Sequence, residues 1–210
     1  AGGVLAIYAK WLDTVPGIAG HLMSASVMSA PAALVVAKII FPETARFNNQ
    51  EVNLSEEKSS VNAMDALGNG TIVGLKLAVN VGAMLISFIS IIALLNYFLG
   101  LLGFSIETIL GTIFRPLAWT MGIPWSESSA VGSLMGKKIV FTEFVAFADL
   151  KSLMDSKEIS ERAAIITSYA LCGFANFGSI GIQLGGIGGI APKRRKEIAQ
   201  LIFKAMIGGA

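Results

Sequence analysis

Long apolar stretches joined by short polar connections dominate this chain. The first complete stretch, 15–41, has no acidic residue and carries only His21 and Lys38 as ionisable groups. As a helix it is long enough to cross a ~30 Å hydrocarbon core, and Pro31 in its interior predicts a kink, which membrane helices tolerate. Residues 42–69 turn polar, with Glu43, Arg46, Glu51, Glu56, Glu57, Lys58 and Asp65, and read as an aqueous connection. Within it Val61, Met64 and Leu67 recur at three-residue spacing, which predicts an amphipathic helix over 57–67. Gly68, Asn69 and Gly70 then predict a turn. The stretch 71–102 predicts a single scaffold span of ~48 Å at 1.5 Å per residue, long enough that it must tilt, bend or protrude. Lys76 can snorkel from near its first end, and Asn80 and Asn96 suit hydrogen bonds between helices.

The pattern over 104–151 does not fit two ordinary crossings. Ser105 is placed to cap a short helix running into Arg115 and Pro116, Gly122 to Pro124 break it, a second piece covers 125–134, and Gly136, Lys137 and Lys138 interrupt again. Short apolar pieces with broken backbone are stable at membrane depth only when buried in protein or lining a cavity, so a re-entrant helical hairpin is expected here. After a polar connection, 163–190 predicts a span broken near 176–181, and 197–210 the start of a last span. The chain begins without Met in AGGVLAIYA and stops in LIFKAMIGGA, so 1–9 reads as the end of a truncated helix and the whole as a fragment. The expected fold is an all-α integral membrane protein, a multi-span helical bundle with a re-entrant hairpin and a discontinuous transmembrane helix. The Lys193, Arg194, Arg195, Lys196 cluster and the 42–69 connection are expected on the cytoplasmic side, with 151–162 facing outward.

Composition sharpens this picture. Hydrophobic residues make up 54% and charged residues 14%, with a mean hydropathy of +0.69, whereas soluble domains carry roughly 25% charged residues. A net charge of +2, with basic residues in loops and at span ends and no interleaved aromatics, excludes nucleic acid as partner. Cys172 is the lone cysteine and packs as a small apolar group. GSLMGKK at 132–138 fails as a phosphate loop, because the first glycine of that pattern falls on Val131 and the final hydroxyl on Lys138. GGIGG at 185–189 lies in an apolar span with no preceding strand and suits close helix packing instead of a dinucleotide. One His and one Cys make no metal site, and no Ser, His and acid constellation is evident. Glu107 and Glu127 fall near expected helix starts, where acids meet the dipole favourably. The chain is not expected to be an enzyme.

Glu143 is the exception to all of this. It lies in the apolar run IVFTEFVAF at 139–147, where an ionised side chain costs at least ~2.5 to 3.5 kcal/mol at a helix centre and so needs a partner or a polar cavity. A second oddity follows in the glycine-rich stretch from Cys172, with Asn176, Ser179 and Gln183 inside a hydrophobic span. Glu143 accepts hydrogen bonds, Asn176 donates and accepts, Ser179 adds a hydroxyl and Phe174 a flat apolar face. Such a set suits a small polyhydroxylated ligand, and broken helices with polar tips are how secondary transporters build midplane sites. In the alternative reading Glu143 pairs with Lys137, Lys138 or another helix to hold the hairpin, within a channel or a noncatalytic membrane subunit.

The segment GKKIVFTEFVAF, 136–147, closely resembles the signature of the concentrative nucleoside transporters: a small residue, a spaced Lys, then Asn, Glu, Phe, Val, Ala and an aromatic. CGFANFGSIGIQLGGIGG, SAPAALVVAKIIFPET and LGNGT resemble that family too, in order, over essentially the whole chain, as the C-terminal portion of a bacterial member. The resemblance implies a homotrimeric symporter of nucleosides in the bacterial inner membrane, with a scaffold part and a moving part, driven by sodium or protons and needing no other cofactor. It further implies that Glu143 contacts the ribose hydroxyls, that Phe174, Asn176 and Ser179 contact the ligand, and that Val4 contacts the base. Thr142 stands where the signature has Asn. The family's first hairpin, which helps form the sodium site, would precede Ala1, so ligands for the coupling ion are expected outside this chain.

Overall fold

The computed structural model describes residues 2–42 and 61–210; the polar connection at 43–60, with the first part of the helix expected over 57–67, lies outside the described residues. Every regular element among the described residues is helical: α1 (Gly2–Trp11), α2 (Ile18–Ile40), α3 (Ala63–Gly100), α4 (Ile106–Thr120), α5 (Trp125–Val140), α6 (Glu143–Asp155), α7 (Glu161–Leu171), α8 (Phe177–Ile190) and α9 (Arg195–Gly209), with a 3-10 turn at Pro192–Arg194 before α9.

Short polar side chains set where several of these helices begin. Asn62, Ser105, Ser160 and Asn176 are extended residues whose side chains accept a hydrogen bond from the backbone N–H three positions on, satisfying one of the four donors that a helix start leaves open. α2 passes through Pro31 and is long and apolar enough to cross a membrane, at 23 residues and a mean hydropathy of 1.7. The turn expected at 68–70 is absent: Gly68, Asn69 and Gly70 are helical, and α3 runs 38 residues from its Asn62 cap, ~57 Å. Each helical glycine costs only ~1 kcal/mol against alanine, so the strong cap and the apolar continuation outweigh the local signal.

A shared core is built by α1, α2, α4, α5, α6 and α7, with Leu12, Leu22, Ile123, Leu134, Phe147, Leu150 and Leu171 fully buried, while Ile180, Ile202 and Met206 pack α8 on α9. The faces of α2 and α3 turned away from it expose Met23, Val27, Leu34, Val35, Ile39, Leu75, Val79, Ile86 and Leu94. Apolar surface of that extent needs lipid or further polypeptide over it.

Region 104–151 holds three helices instead of two limbs. α4 and α5 are antiparallel neighbours in intimate contact: a Cβ added at Gly132 would stand 2.5 Å from the Gly111 carbonyl oxygen. Gly122 makes the turn between them with φ 95°, a conformation glycine adopts without strain. Gly136, Lys137 and Lys138 do not interrupt the chain; α5 continues to Val140, and the break falls at Phe141 and Thr142. Beyond it α6 folds back along α5, since Lys137 pairs with Asp149 and Glu127, in the first turn of α5, accepts from both the backbone N–H (3.0 Å) and the hydroxyl (2.9 Å) of Ser160 past the end of α6. The hairpin that carries Glu143 is therefore α5 with α6, and its tip is Phe141–Thr142.

Candidate ligand site at two broken helices

Glu143 is the first residue of α6, preceded by an extended Thr142 (φ −155°, ψ 162°) that makes no side-chain cap. A helix start presents open N–H groups and the positive end of the dipole, so a carboxylate is favourable there. The second broken element has the same form. α7 ends at Leu171, and after Cys172–Ala175 α8 begins behind Asn176, so the interruption lies just before the expected 176–181. A reciprocal cap fixes the boundary: Asn176 Oδ1 accepts from Ser179 N–H at 2.7 Å, and Ser179 Oγ accepts from Asn176 N–H at 3.1 Å and donates to the Asn176 carbonyl at 2.6 Å. Such a capping box ends the irregular backbone at a definite residue, leaving Gly178 and Gly181 helical.

The two breaks meet. Lys138, in the last turn of α5, reaches the end of α7 and donates to the Ala170 carbonyl at 2.9 Å and to the Ala210 carbonyl at 3.3 Å. Glu143 lies within Coulomb range of Lys138, of Tyr8 on α1 and of Cys172 at the end of α7. Four polar atoms in this part of the molecule, Glu143 Oε2, Asn176 Nδ2, Tyr8 Oη and Thr167 Oγ1, are each buried without a hydrogen-bond partner among the described residues. An unmet buried polar group costs ~1 to 3 kcal/mol, so several together call for something that supplies partners. The ion-pair alternative for Glu143 is not observed: Lys137 pairs with Asp149, Lys138 binds carbonyls, and Glu143 enters no ion pair among the described residues.

The other expected residues differ in burial and in what their polar atoms already bind. Asn176 and Ser179 are 1% and 2% exposed; the Ser179 hydroxyl is engaged by the cap, whereas the Asn176 amide nitrogen is unspent. Phe174 lies in the break with 53% of its surface exposed. Val4 is exposed on α1 one turn before Tyr8, whose ring stacks on Phe147 at 4.0 Å and 14°. Tyr8 and Thr167 were not singled out by the sequence, where a Tyr in AGGVLAIYA and a Thr in an ordinary helix look like packing residues. His21 Nδ1 lies 3.1 Å from the Tyr169 hydroxyl, joining α2 to α7.

The family described as "Na+ dependent nucleoside transporter C-terminus" matches residues 21–210. The uncharacterized transporter YutK of Bacillus subtilis is 44% identical over 198 residues, 90% of this chain and 48% of that protein; the nucleoside permease NupC of Helicobacter pylori is 40% identical over 219 residues, all of this chain and 51% of that protein. This chain thus spans about half the length of these bacterial relatives. Among solved structures, a substituted CNTnw in an outward-facing state matches with a TM-score of 0.85 at 39% identity, and CNTnw in an inward-facing substrate-bound state with 0.75 at 41%, each over all of this chain and 51% of the other. The chain belongs to the family of Na+ dependent nucleoside transporters, a family of membrane transporters and not of enzymes, and corresponds to its C-terminal region.

Proposed function

We propose that this chain is the C-terminal, substrate-gripping part of a secondary transporter that carries nucleosides across the membrane with a sodium or proton gradient by alternating access. The observation that carries the reading is the pair of buried, unpartnered groups at two facing helix breaks: an acceptor, Glu143 Oε2, and a donor, Asn176 Nδ2. A nucleoside offers matching chemistry. Its sugar hydroxyls donate to a carboxylate and accept from an amide, and the exposed Phe174 ring and Val4 on α1 suit the flat apolar base.

Support for movement comes from two sources. The long α3 packs lengthwise on α8, where Gly185 approaches Asn80; small residues leave such a contact smooth. The fold also matches the outward-facing CNTnw structure better than the inward-facing one, in keeping with a body that takes several arrangements. In this reading α5 to α8 travel with the site and α3 stays with the scaffold. The scaffold is trimeric and lies in the bacterial inner membrane, and the exposed apolar faces of α2 and α3 meet lipid or a neighbouring subunit. The coupling ion is held by residues of the complete protein outside this chain.

Uptake competition in proteoliposomes holding the complete transporter tests the ligand class. Uridine is expected to compete strongly and uracil weakly, because without the sugar the buried polar groups stay unmet. Equal inhibition by the two would exclude sugar recognition at Glu143 and Asn176.

A further inference from the structure

Among the described residues Lys138 is the single charged side chain that is buried, at 2% exposure. Among the described residues no Asp or Glu side chain stands within ion-pair distance of it; its bonds go to the Ala170 carbonyl and to a main-chain oxygen of Ala210. The reason lies in the broken helix. In an uninterrupted α7 the Ala170 carbonyl would accept from the N–H four residues on, but the helix ends at Leu171 and that donor is lost. The Lys138 ammonium, 32 positions earlier in the chain, takes its place and adds a cation at the negative end of the α7 dipole. The fit is close: a Cβ added at Gly173 would stand 3.2 Å from Nζ and 3.1 Å from the Gly209 carbonyl oxygen. Glu143, five positions after Lys138, feels this charge without being bound by it, so the carboxylate keeps its own acceptor capacity.

We propose that Lys138 is a positioning residue for the ligand: its bond across the break sets the hairpin tip against the α8 cap and so fixes Glu143 relative to Asn176. This rests on the reading of Glu143 and Asn176 as nucleoside ligands. The lysine itself touches protein carbonyls and acts through the carboxylate, so its effect should vanish when the carboxylate is gone. Mere destabilisation would lower affinity alike whether or not residue 143 is an acid.

The test is a double-mutant cycle read by uridine titration of the complete purified transporter. Lys138→Met is expected to weaken binding about tenfold in the native background but less than about twofold when Glu143→Gln is already present, because sites that act together are not additive. Gly173→Ala keeps the ammonium but sets a Cβ 3.2 Å from Nζ, so that the lysine must shift by a few tenths of an ångström, and is expected to weaken binding in the same direction, by less, and likewise only with Glu143 in place; it decides the matter alone if Lys138→Met does not fold. Equal fold-losses in both backgrounds, or native affinity in both variants, would overturn the positioning role. If Glu143→Gln itself leaves affinity unchanged, the nucleoside reading fails; if Glu143→Gln weakens binding while Lys138→Met is silent or additive, only the role of Lys138 falls.

Discussion

Replacing Glu143 by Gln probes the site at its most informative atom. The side chain keeps its volume and one oxygen, and what changes is the charge and the acceptor that Oε2 provides. Because Oε2 is buried and has no hydrogen-bond partner among the described residues, and because Glu143 is in no ion pair among them, the substitution breaks no ion pair and no bond of Oε2, and the oxygen that Gln keeps can still accept from the residue's own backbone N–H. The favourable placement of a carboxylate at the start of α6 is lost, which costs ~0.3 to 1 kcal/mol. Folding should therefore change little. Binding should change a great deal: a hydrogen bond to a charged group contributes ~1.5 to 3 kcal/mol, and with tenfold for every ~1.4 kcal/mol affinity should fall roughly ten- to a hundredfold. Isothermal titration of the complete purified protein with uridine reads the affinity, and thermal unfolding of the same sample reads stability. A variant that unfolds much earlier but binds uridine as before would refute the reasoning and return Glu143 to a structural role.

Three further outcomes are expected. Asn176→Ala removes both the cap acceptor for Ser179 N–H and the unspent amide donor, so stability should drop by ~0.5 to 2 kcal/mol and uridine affinity should fall with it; native affinity with lowered stability would confine Asn176 to capping. Gly132→Ala forces a Cβ to within 2.5 Å of the Gly111 carbonyl, and overpacking of this kind costs ~1 to 3 kcal/mol; an unchanged unfolding temperature would mean that α4 and α5 part easily. With Cys172 replaced, a cysteine pair at Asn80 and Gly185 should crosslink to an extent that depends on uridine, because the two lie on opposite sides of the proposed moving boundary; linking at full yield without loss of transport would exclude sliding between α3 and α8.

Much of the architecture is written locally. Polar residues interrupt long apolar stretches, and the cost of placing charge or open backbone in hydrocarbon makes those interruptions legible at Glu143 and around Asn176, as does the capping role of Ser105. Helix bounds set by competition were not legible. Gly68 to Gly70 look like a turn until the Asn62 cap and the apolar run behind them carry α3 through, and Gly136 to Lys138 look like a break until Lys138 is seen to find the Ala170 carbonyl at the end of α7. That carbonyl lies far along the chain, so no local window contains the reason α5 can continue. The same holds for the site. The residues themselves nominated Glu143, Asn176, Ser179 and Phe174 as a set and the family resemblance added Val4, but which polar atoms are already engaged is a property of the fold: the cap consumes the Ser179 hydroxyl and leaves Asn176 Nδ2 without a partner among the described residues, where Tyr8 and Thr167 join the unmet groups. Chemistry of side chains is a local fact, whereas satisfaction of their hydrogen bonds is a tertiary one, and it is the second that separates a ligand-ready carboxylate from a structural ion pair.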